Sequence, residues 1–332
     1  MRIVVPGGTG QVGGLLRRDL VARGHDVVVL SRRPVSLEPG VRHRLWDGRT
    51  LGPWAEEVDG ADAVINLAGR SVSCRYTDEH LRQMMDSRVD SARAVGAAIA
   101  RAGRAPAVWL QMSTATIYAD RRDAAHDEAT GVVGGHEPGV PAYWASSVRI
   151  AQRWEQAQHE LDLPHTRRVA LRSAMVMSPD RGGVLDYLLW MARLGLGGPV
   201  AGGGQYVSWI HDADFVRAVD LLLHRHDLAG PVNLAAPAPL PQRELMRDLR
   251  RAWGRRPGLP ATRAMAELGA WLLRTDTELL LKSRRVVPGR LLEAGFAFEQ
   301  PQWPGAAADL VARVRAGRAT VISDTPNERK TP

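Results

Sequence analysis

Val4-Val5-Pro6-Gly7-Gly8-Thr9-Gly10-Gln11-Val12-Gly13-Gly14 decides how the rest of the chain is read. The apolar run from Ile3 to Val5 has the length of a buried parallel strand. Glycines follow at positions 7, 10 and 13, and then Leu15, Leu16, Leu20 and Val21 recur at helical spacing. Strand, glycine turn and helix in that order bring a dinucleotide's pyrophosphate against bare backbone N–H groups at a helix N-terminus. The spacing gives the glycines three tasks: a tight turn, close approach to the phosphates, and close packing of helix on strand. Gly7, Thr9, Gly10, Gln11, Val12 and Gly13 are therefore the first candidate cofactor residues.

A chain of 332 residues buries a sizeable core, in one large domain or two intimately joined ones. Its 45% apolar and 24% charged residues are ordinary for a globular protein. No apolar run is long enough to span a bilayer, and the first residues already form the cofactor strand, so no membrane partner and a cytoplasmic location are expected. The single cysteine, Cys74, leaves no internal disulfide, and no metal is expected. The formal charge of +8 comes almost wholly from arginine, because the only lysines are Lys282 and Lys330. Arginines are spread through every segment and no nucleic-acid module is recognisable. The charge reads as a solvated basic surface, with no specific nucleic-acid partner.

The first half alternates strands and helices, which predicts an α/β fold with a doubly wound parallel sheet. Strands are expected at Asp26–Leu30, Arg42–Trp46, Ala63–Gly69, Ala107–Met112 and Thr166–Leu171. Long helices are expected over Asp78–Ala102 and Tyr143–Leu161, with a polar loop from 120 to 142 lying over the sheet's carboxyl edge. Past Ser178 the alternation fades, leaving strand candidates at Val207–Ile210 and Val232–Ala236 around a helix at Asp212–His224. The expected division is a Rossmann-type dinucleotide-binding domain over 1–177, to which 206–236 returns. A smaller, mainly helical substrate domain covers 178–205 and 237–316, and 318–332 reads as a disordered tail.

The end of the second strand meets the adenosine ribose in such folds, where a carboxylate binds a free 2′-hydroxyl and arginine accommodates a 2′-phosphate. Here that place holds Ser31-Arg32-Arg33 and no carboxylate. Guanidinium forks and a serine hydroxyl suit phosphate, so NADP(H) is expected rather than NAD(H). Asp47 and the Leu67-Ala68-Gly69 backbone stand where the walls of the adenine and ribose sites belong. Arg172, at the end of the Thr166–Leu171 strand, is a further cofactor candidate.

GGTGQVG at the first turn, NLAG at 66–69 and STATIY at 113–118 resemble the atypical and extended short-chain dehydrogenase/reductases. A closer resemblance is to the "epimerase family" group, which carries its own C-terminal domain of unknown function. Its matching stretches are Asp86-Ser87-Arg88-Val89, Ser208-Trp209-Ile210-His211 with Asp214, Gly230 to Pro237, and Arg285 to Phe296. They run in the family's order over about residues 1 to 310. The resemblance implies a Rossmann-type fold with a cofactor and a small-molecule substrate, and leaves monomer or homodimer open.

The superfamily implied by the resemblance uses a Ser/Thr and a Tyr-x-x-x-Lys pair beside the nicotinamide. Tyrosine transfers the proton, and lysine holds the ribose and lowers the tyrosine pKa from about 10. Thr114 falls at the Ser/Thr position. Tyr143-Trp144-Ala145-Ser146-Ser147 resembles the tyrosine motif, with Ser147 where lysine should stand. Trp154-Glu155 resembles the group's Trp-Glu pair on this helix, and that resemblance instead implies Ser146 at the proton-donor position, leaving Tyr143 as an aromatic cover. Without the lysine, a tyrosine still donates a proton to a developing alkoxide, whereas removing one from an alcohol costs about 1.4 kcal/mol more per pKa unit. Reduction is the expected direction. Arg88, which by resemblance takes the place of an active-site asparagine, is the remaining catalytic candidate, to hold the ribose or polarise a substrate oxygen. His211 reads as structural. Val207 stands where nucleotide-sugar epimerases carry a diphosphate-gripping arginine, which argues against such a substrate.

Three readings follow. The first is an NADPH-dependent reductase of a small apolar or aromatic carbonyl or imine compound. The second is an epimerase, dehydratase or cyclase that uses its cofactor transiently or as scaffolding. The third is a non-catalytic NADP(H)-binding sensor or partner protein.

Overall fold

The computed structural model describes residues 1–72, 74–265, 267 and 278–323. β1 (Arg2–Pro6), β2 (Asp26–Ser31), β4 (Ala63–Asn66) and β5 (Val108–Thr114) are mostly apolar runs buried on both faces, as central parallel strands require. With β3 (Val41–Leu45), β6 (Arg167–Ser173) and β10 (Gly230–Leu234) they form one seven-stranded sheet in the order β3-β2-β1-β4-β5-β6-β10. Every pairing in it is parallel. The direction of winding reverses between β1 and β4, which opens a crevice at their carboxyl ends. This is the Rossmann-type arrangement.

Alternate residues along one strand feed opposite cores. Ile3 and Val5 pack with Leu16 and Leu20 of α1 (Gln11–Ala22) and with Phe215 and Leu222 of a later helix. Val4 packs with Val95 and Ile99 of α2 (Asp78–Arg101) and with Trp154 of α3 (Ala142–Ala157). A further core joins α4 (Val184–Arg193), α6 (Gln242–Ala252) and the helix Trp303–Ser323 through Leu185, Leu189, Leu245, Leu249, Trp303 and Leu310. α5 (Asp212–His224), which carries Phe215 and Leu222, returns the chain to the sheet and delivers it into β10.

Short strands connect the two parts. β7 (Met175–Met177) pairs with β9 (Trp209–His211), and β8 (Tyr206–Val207) pairs with β11 (Leu240–Pro241). The single strand expected over 207–210 is thus divided at Ser208. Its buried Oγ donates to the Arg284 carbonyl at 2.8 Å and accepts from Val286 N at 2.7 Å, so this residue serves the C-terminal segment. The last helix runs to Ser323, into the segment read from sequence as a tail, and residues 324–332 lie outside the described residues. No helix among the described residues is long and apolar enough to cross a membrane.

Candidate functional site

The glycine turn leaves β1 at the crevice, and its three spaced glycines have different surroundings. Gly7 has φ +73°, and a Cβ there would lie 2.6 Å from the Cα of Ala68, so this turn fits only against the loop after β4. Gly13 is packed so that a Cβ would overlap the Gly8 carbonyl, which lets α1 lie close on the turn. Gly10 has nothing within 4 Å of a Cβ position. It is also the N-cap of α1, with no side-chain cap and no acidic residue in the first turn. The N-terminal N–H groups of that helix therefore have no side-chain cap and an open approach at Gly10, which is the electrostatic arrangement that receives phosphate.

Two arginines brace the turn. Arg17 donates to the Gly8 carbonyl and pairs with Glu38 at 2.8 Å. Arg18 pairs with Asp180 at 2.5 Å, drawing the 178–183 segment towards α1, and the Gln11 amide fills the place of a Cβ at Gly183. The residues present fit a dinucleotide: a bare helix end, an open position at Gly10, and a second wall at Leu67-Ala68-Gly69.

The adenosine-end candidates divide. Arg32 and Arg33 are exposed, and among the described residues their side chains make no hydrogen bond or ion pair. Ser31 does not stand with them: its Oγ donates to the Arg33 carbonyl at 2.6 Å and lies 2.8 Å from His43 Nε2, so the buried hydroxyl is used within the protein. Asp47 caps its own turn through Arg49 N, Thr50 N and Thr50 Oγ1, and the Thr50 hydroxyl and N–H hold its carboxyl below the usual range.

Arg172 is likewise engaged inside the protein. Nε and Nη2 donate to the two Glu155 oxygens at 2.9 and 2.8 Å, and Nη1 donates to Tyr118 Oη at 3.0 Å. Ser113 Oγ also donates to Glu155, and Tyr118 Oη donates to Asn233 Oδ1. Burial works against the Arg172 charge, but the Glu155 carboxylate outweighs it and holds the guanidinium above its usual pKa. A network spanning β5, β6, β10 and α3 thus occupies a side chain that sequence position alone assigns to the cofactor.

At the reacting end, Thr114 closes β5 and its Oγ1 accepts from Thr116 N at 3.1 Å, which leaves the hydroxyl proton for an incoming acceptor. Tyr143 lies in the first turn of α3, with its ring edge-on to Tyr76 at 6.1 Å and to Trp144 at 6.5 Å. Ser146 accepts from Arg149 and lines the groove between α2 and α3. Ser147, at the position expected for lysine, donates to Glu278 Oε2 at 2.5 Å.

Glu278 belongs to a group that spacing does not reveal. Lys282 Nζ donates to the Thr116 carbonyl at 2.9 Å and lies 3.8 Å from Glu278 Oε1, while Arg284 Nε donates to Thr116 Oγ1 at 3.1 Å. All three side chains are buried. Burial pushes the Lys282 ammonium down to about 8. The signal in the sequence is the rarity of lysine itself, since one of two in the chain sits here. Nearby, Val140, Pro141, Trp144 and Leu281 face Asp120, Arg122, Gln205 and Arg263 across a cavity of about 250 Å³. Thr114 and Tyr143 are not part of its lining. His211 caps α5 through Ala213 N and reaches Asp309 at 3.0 Å, a structural engagement.

The sheet order and the crevice at its winding reversal define a Rossmann-type dinucleotide-fold protein. Residues 3–235 match the NAD dependent epimerase/dehydratase family, and 262–310 match a domain of unknown function, DUF1731. The chain belongs to the NAD dependent epimerase/dehydratase family. It is 30% identical over 315 residues to the human epimerase family protein SDR39U1, covering 94% of this chain and 100% of that protein. The SDR39U1 of Bos taurus is 31% identical over 316 residues, with the same coverage. A crystal structure of human SDR39U1 (isoform 2) with NADPH superposes with a TM-score of 0.81 at 29% identity, covering 94% and 99% of the two chains. UDP-N-acetylglucosamine 4-epimerase from Bacillus cereus shares the fold, with a TM-score of 0.71 at 16% identity over 95% and 96% of the chains.

Proposed function

We propose that this chain binds NADP(H) in the crevice between β1 and β4 and reduces a small carbonyl or imine compound with an apolar or aromatic body. The observation that carries the reading is the glycine turn: Gly7 seated on Ala68, Gly10 open, and an uncapped α1 N-terminus between them and the crevice. The likeness to human SDR39U1, which was crystallised with NADPH, supports the same cofactor. Exposed Arg32 and Arg33 favour the 2′-phosphate form, because their guanidinium groups hold no competing partner among the described residues.

When bound, NADPH supplies a hydride to the carbonyl or imine carbon. Thr114 Oγ1, which accepts from Thr116 N, donates its proton in a hydrogen bond to the substrate oxygen or nitrogen. Tyr143 Oη hands its proton to that atom as the carbon–heteroatom double bond becomes single. The cavity between Trp144 and Arg263 is not lined by Thr114 or Tyr143, so it serves the part of the substrate remote from the reacting atom, with Trp144, Pro141 and Leu281 offered to an apolar body.

Titration of purified protein with NADPH and NADH tests the shared premise, which fails if neither binds. NADPH oxidation with a panel of ketones and imines tests the reaction. Unchanged turnover in both Thr114→Ala and Tyr143→Phe would remove the catalytic assignment while leaving the cofactor site standing.

A further inference from the structure

Arg88 is a buried cation without a carboxylate. It leaves α2 beneath the loop that follows β4, and the residue is nine-tenths buried, at 9% exposure. Its Nη1 donates to the Met84 carbonyl of its own helix at 3.0 Å, and its guanidinium lies 4.8 Å from the Trp154 ring centroid. Among the described residues, Nε and Nη2 have no hydrogen-bond partner and no acidic side chain pairs with the group. Other buried or half-buried arginines have partners on more than one side: Arg17 has Glu38 and the Gly8 carbonyl, Arg172 has Glu155 and Tyr118, and Arg250, which lacks a carboxylate, donates to the Gly197 and Arg256 carbonyls. Methionine or leucine would fill the same space against Trp154 without the desolvation cost of an unpaired charge.

The position explains the anomaly. The guanidinium packs against Gly69, where a Cβ would sit 3.2 Å from Cζ and 3.4 Å from Nε, so a side chain there would push it back by a few tenths of an ångström. Gly69 is exposed and follows Ala68, the residue on which Gly7 of the phosphate turn is seated. Arg88 therefore stands behind the wall of the crevice opposite the bare end of α1. Burial lowers its pKa to about 10, which leaves it charged at neutral pH.

We propose that Arg88 is an oxyanion-binding residue of this crevice, with Nε and Nη2 held for a phosphate or carboxylate oxygen that a ligand brings in. A guanidinium fork is the side chain suited to two such oxygens at once. The proposal rests on the dinucleotide reading only for the source of the anion, which is either a cofactor phosphate or a carboxylate on the substrate. An empty crevice leaves the charge uncompensated, so ligand-free protein is destabilised by the residue that its ligand uses.

The test follows thermal unfolding and calorimetric binding of the full chain with NADPH, inorganic pyrophosphate and malonate, at constant ionic strength. Wild type is compared with Arg88→Met. The variant is expected to melt higher than wild type without ligand, and to bind at least one anion more weakly by about tenfold or more. Loss confined to NADPH and pyrophosphate assigns the oxygen to the cofactor; loss confined to malonate assigns it to the substrate. If wild type fails to bind NADPH but loses malonate binding on substitution, the cofactor reading falls and the anion site stands. Wild-type affinity of Arg88→Met for every probe that wild type binds overturns the proposal, as does wild type binding none. Should Arg88→Met not fold, Arg88→Gln, which removes the charge and keeps a polar stem, is read in the same way.

Discussion

Ser147 Oγ donates to Glu278 Oε2 across 2.5 Å, joining the α3 position where lysine is expected to a carboxylate 131 residues further along the chain. That carboxylate lies 3.8 Å from the Lys282 ammonium, which holds the Thr116 carbonyl two residues beyond Thr114. The C-terminal segment thus docks its charges on the two elements proposed to carry the chemistry.

Lys282 gives the fold a pH signature. Its ammonium is pushed down by burial to about 8 in the folded chain, against about 10.4 when unfolded. Between those values the unfolded state binds more protons, so stability rises with pH across that window. Relative to Lys282→Met, wild type is expected to gain up to ~3 kcal/mol between pH 8 and about 10.4 in urea unfolding. A difference that stays flat with pH contradicts this burial.

Gly10 and Gly13 separate binding from folding. Alanine at position 10 meets nothing within 4 Å, so stability is expected to change by less than about 1 kcal/mol. Its methyl would nevertheless occupy the approach to the helix end, and NADPH affinity is expected to fall. Alanine at position 13 overlaps the Gly8 carbonyl and is expected to cost about 1–3 kcal/mol of stability. Urea unfolding beside a fluorescence titration with NADPH reads both.

The Arg172–Glu155 pair is structural and mostly buried, with 11% and 16% of the side chains exposed. Arg172→Met leaves the Glu155 carboxylate buried with only Ser113 to satisfy it, and is expected to cost about 3 kcal/mol. The double change Arg172→Met with Glu155→Leu is expected to recover a large part of that loss. Additive losses in the double variant would show that the two side chains act independently.

On the proposed reading, exposed Arg32 and Arg33 set cofactor choice without holding the fold. Replacing both by serine is expected to leave unfolding unchanged within about 0.5 kcal/mol. The preference for NADPH over NADH is expected to fall by about tenfold or more, the effect of losing at least one charge-assisted hydrogen bond to phosphate. Equal loss of affinity for both dinucleotides would place the arginines elsewhere on the ligand.

Local chemistry made the sheet and its first turn readable. β1, β2, β4 and β5 are short apolar runs between turn residues, and a strand buried on both faces has few other uses for such a run. The division of 207–210 at Ser208 was not readable, because it depends on Arg284 and Val286, which lie more than 70 positions away. Ser31 and Arg172 mislead for the same reason. Their residue types suit phosphate, but His43 lies beside one hydroxyl and Glu155 claims one guanidinium, and neither partner is adjacent in sequence.

Periodicity, glycine spacing and residue identity are local properties, and they are enough to specify the parallel sheet, the glycine turn and an α3 that lacks lysine. Tertiary structure alone decided which polar groups are already engaged. It turned Ser31 inward, closed Arg172 onto Glu155, brought Glu278, Lys282 and Arg284 to Thr116 and Ser147, and buried Arg88 against Gly69 with no carboxylate beside it among the described residues. Hydrogen bonds and burial depend on which distant groups meet, so the availability of a charge to a ligand is a property of the folded chain.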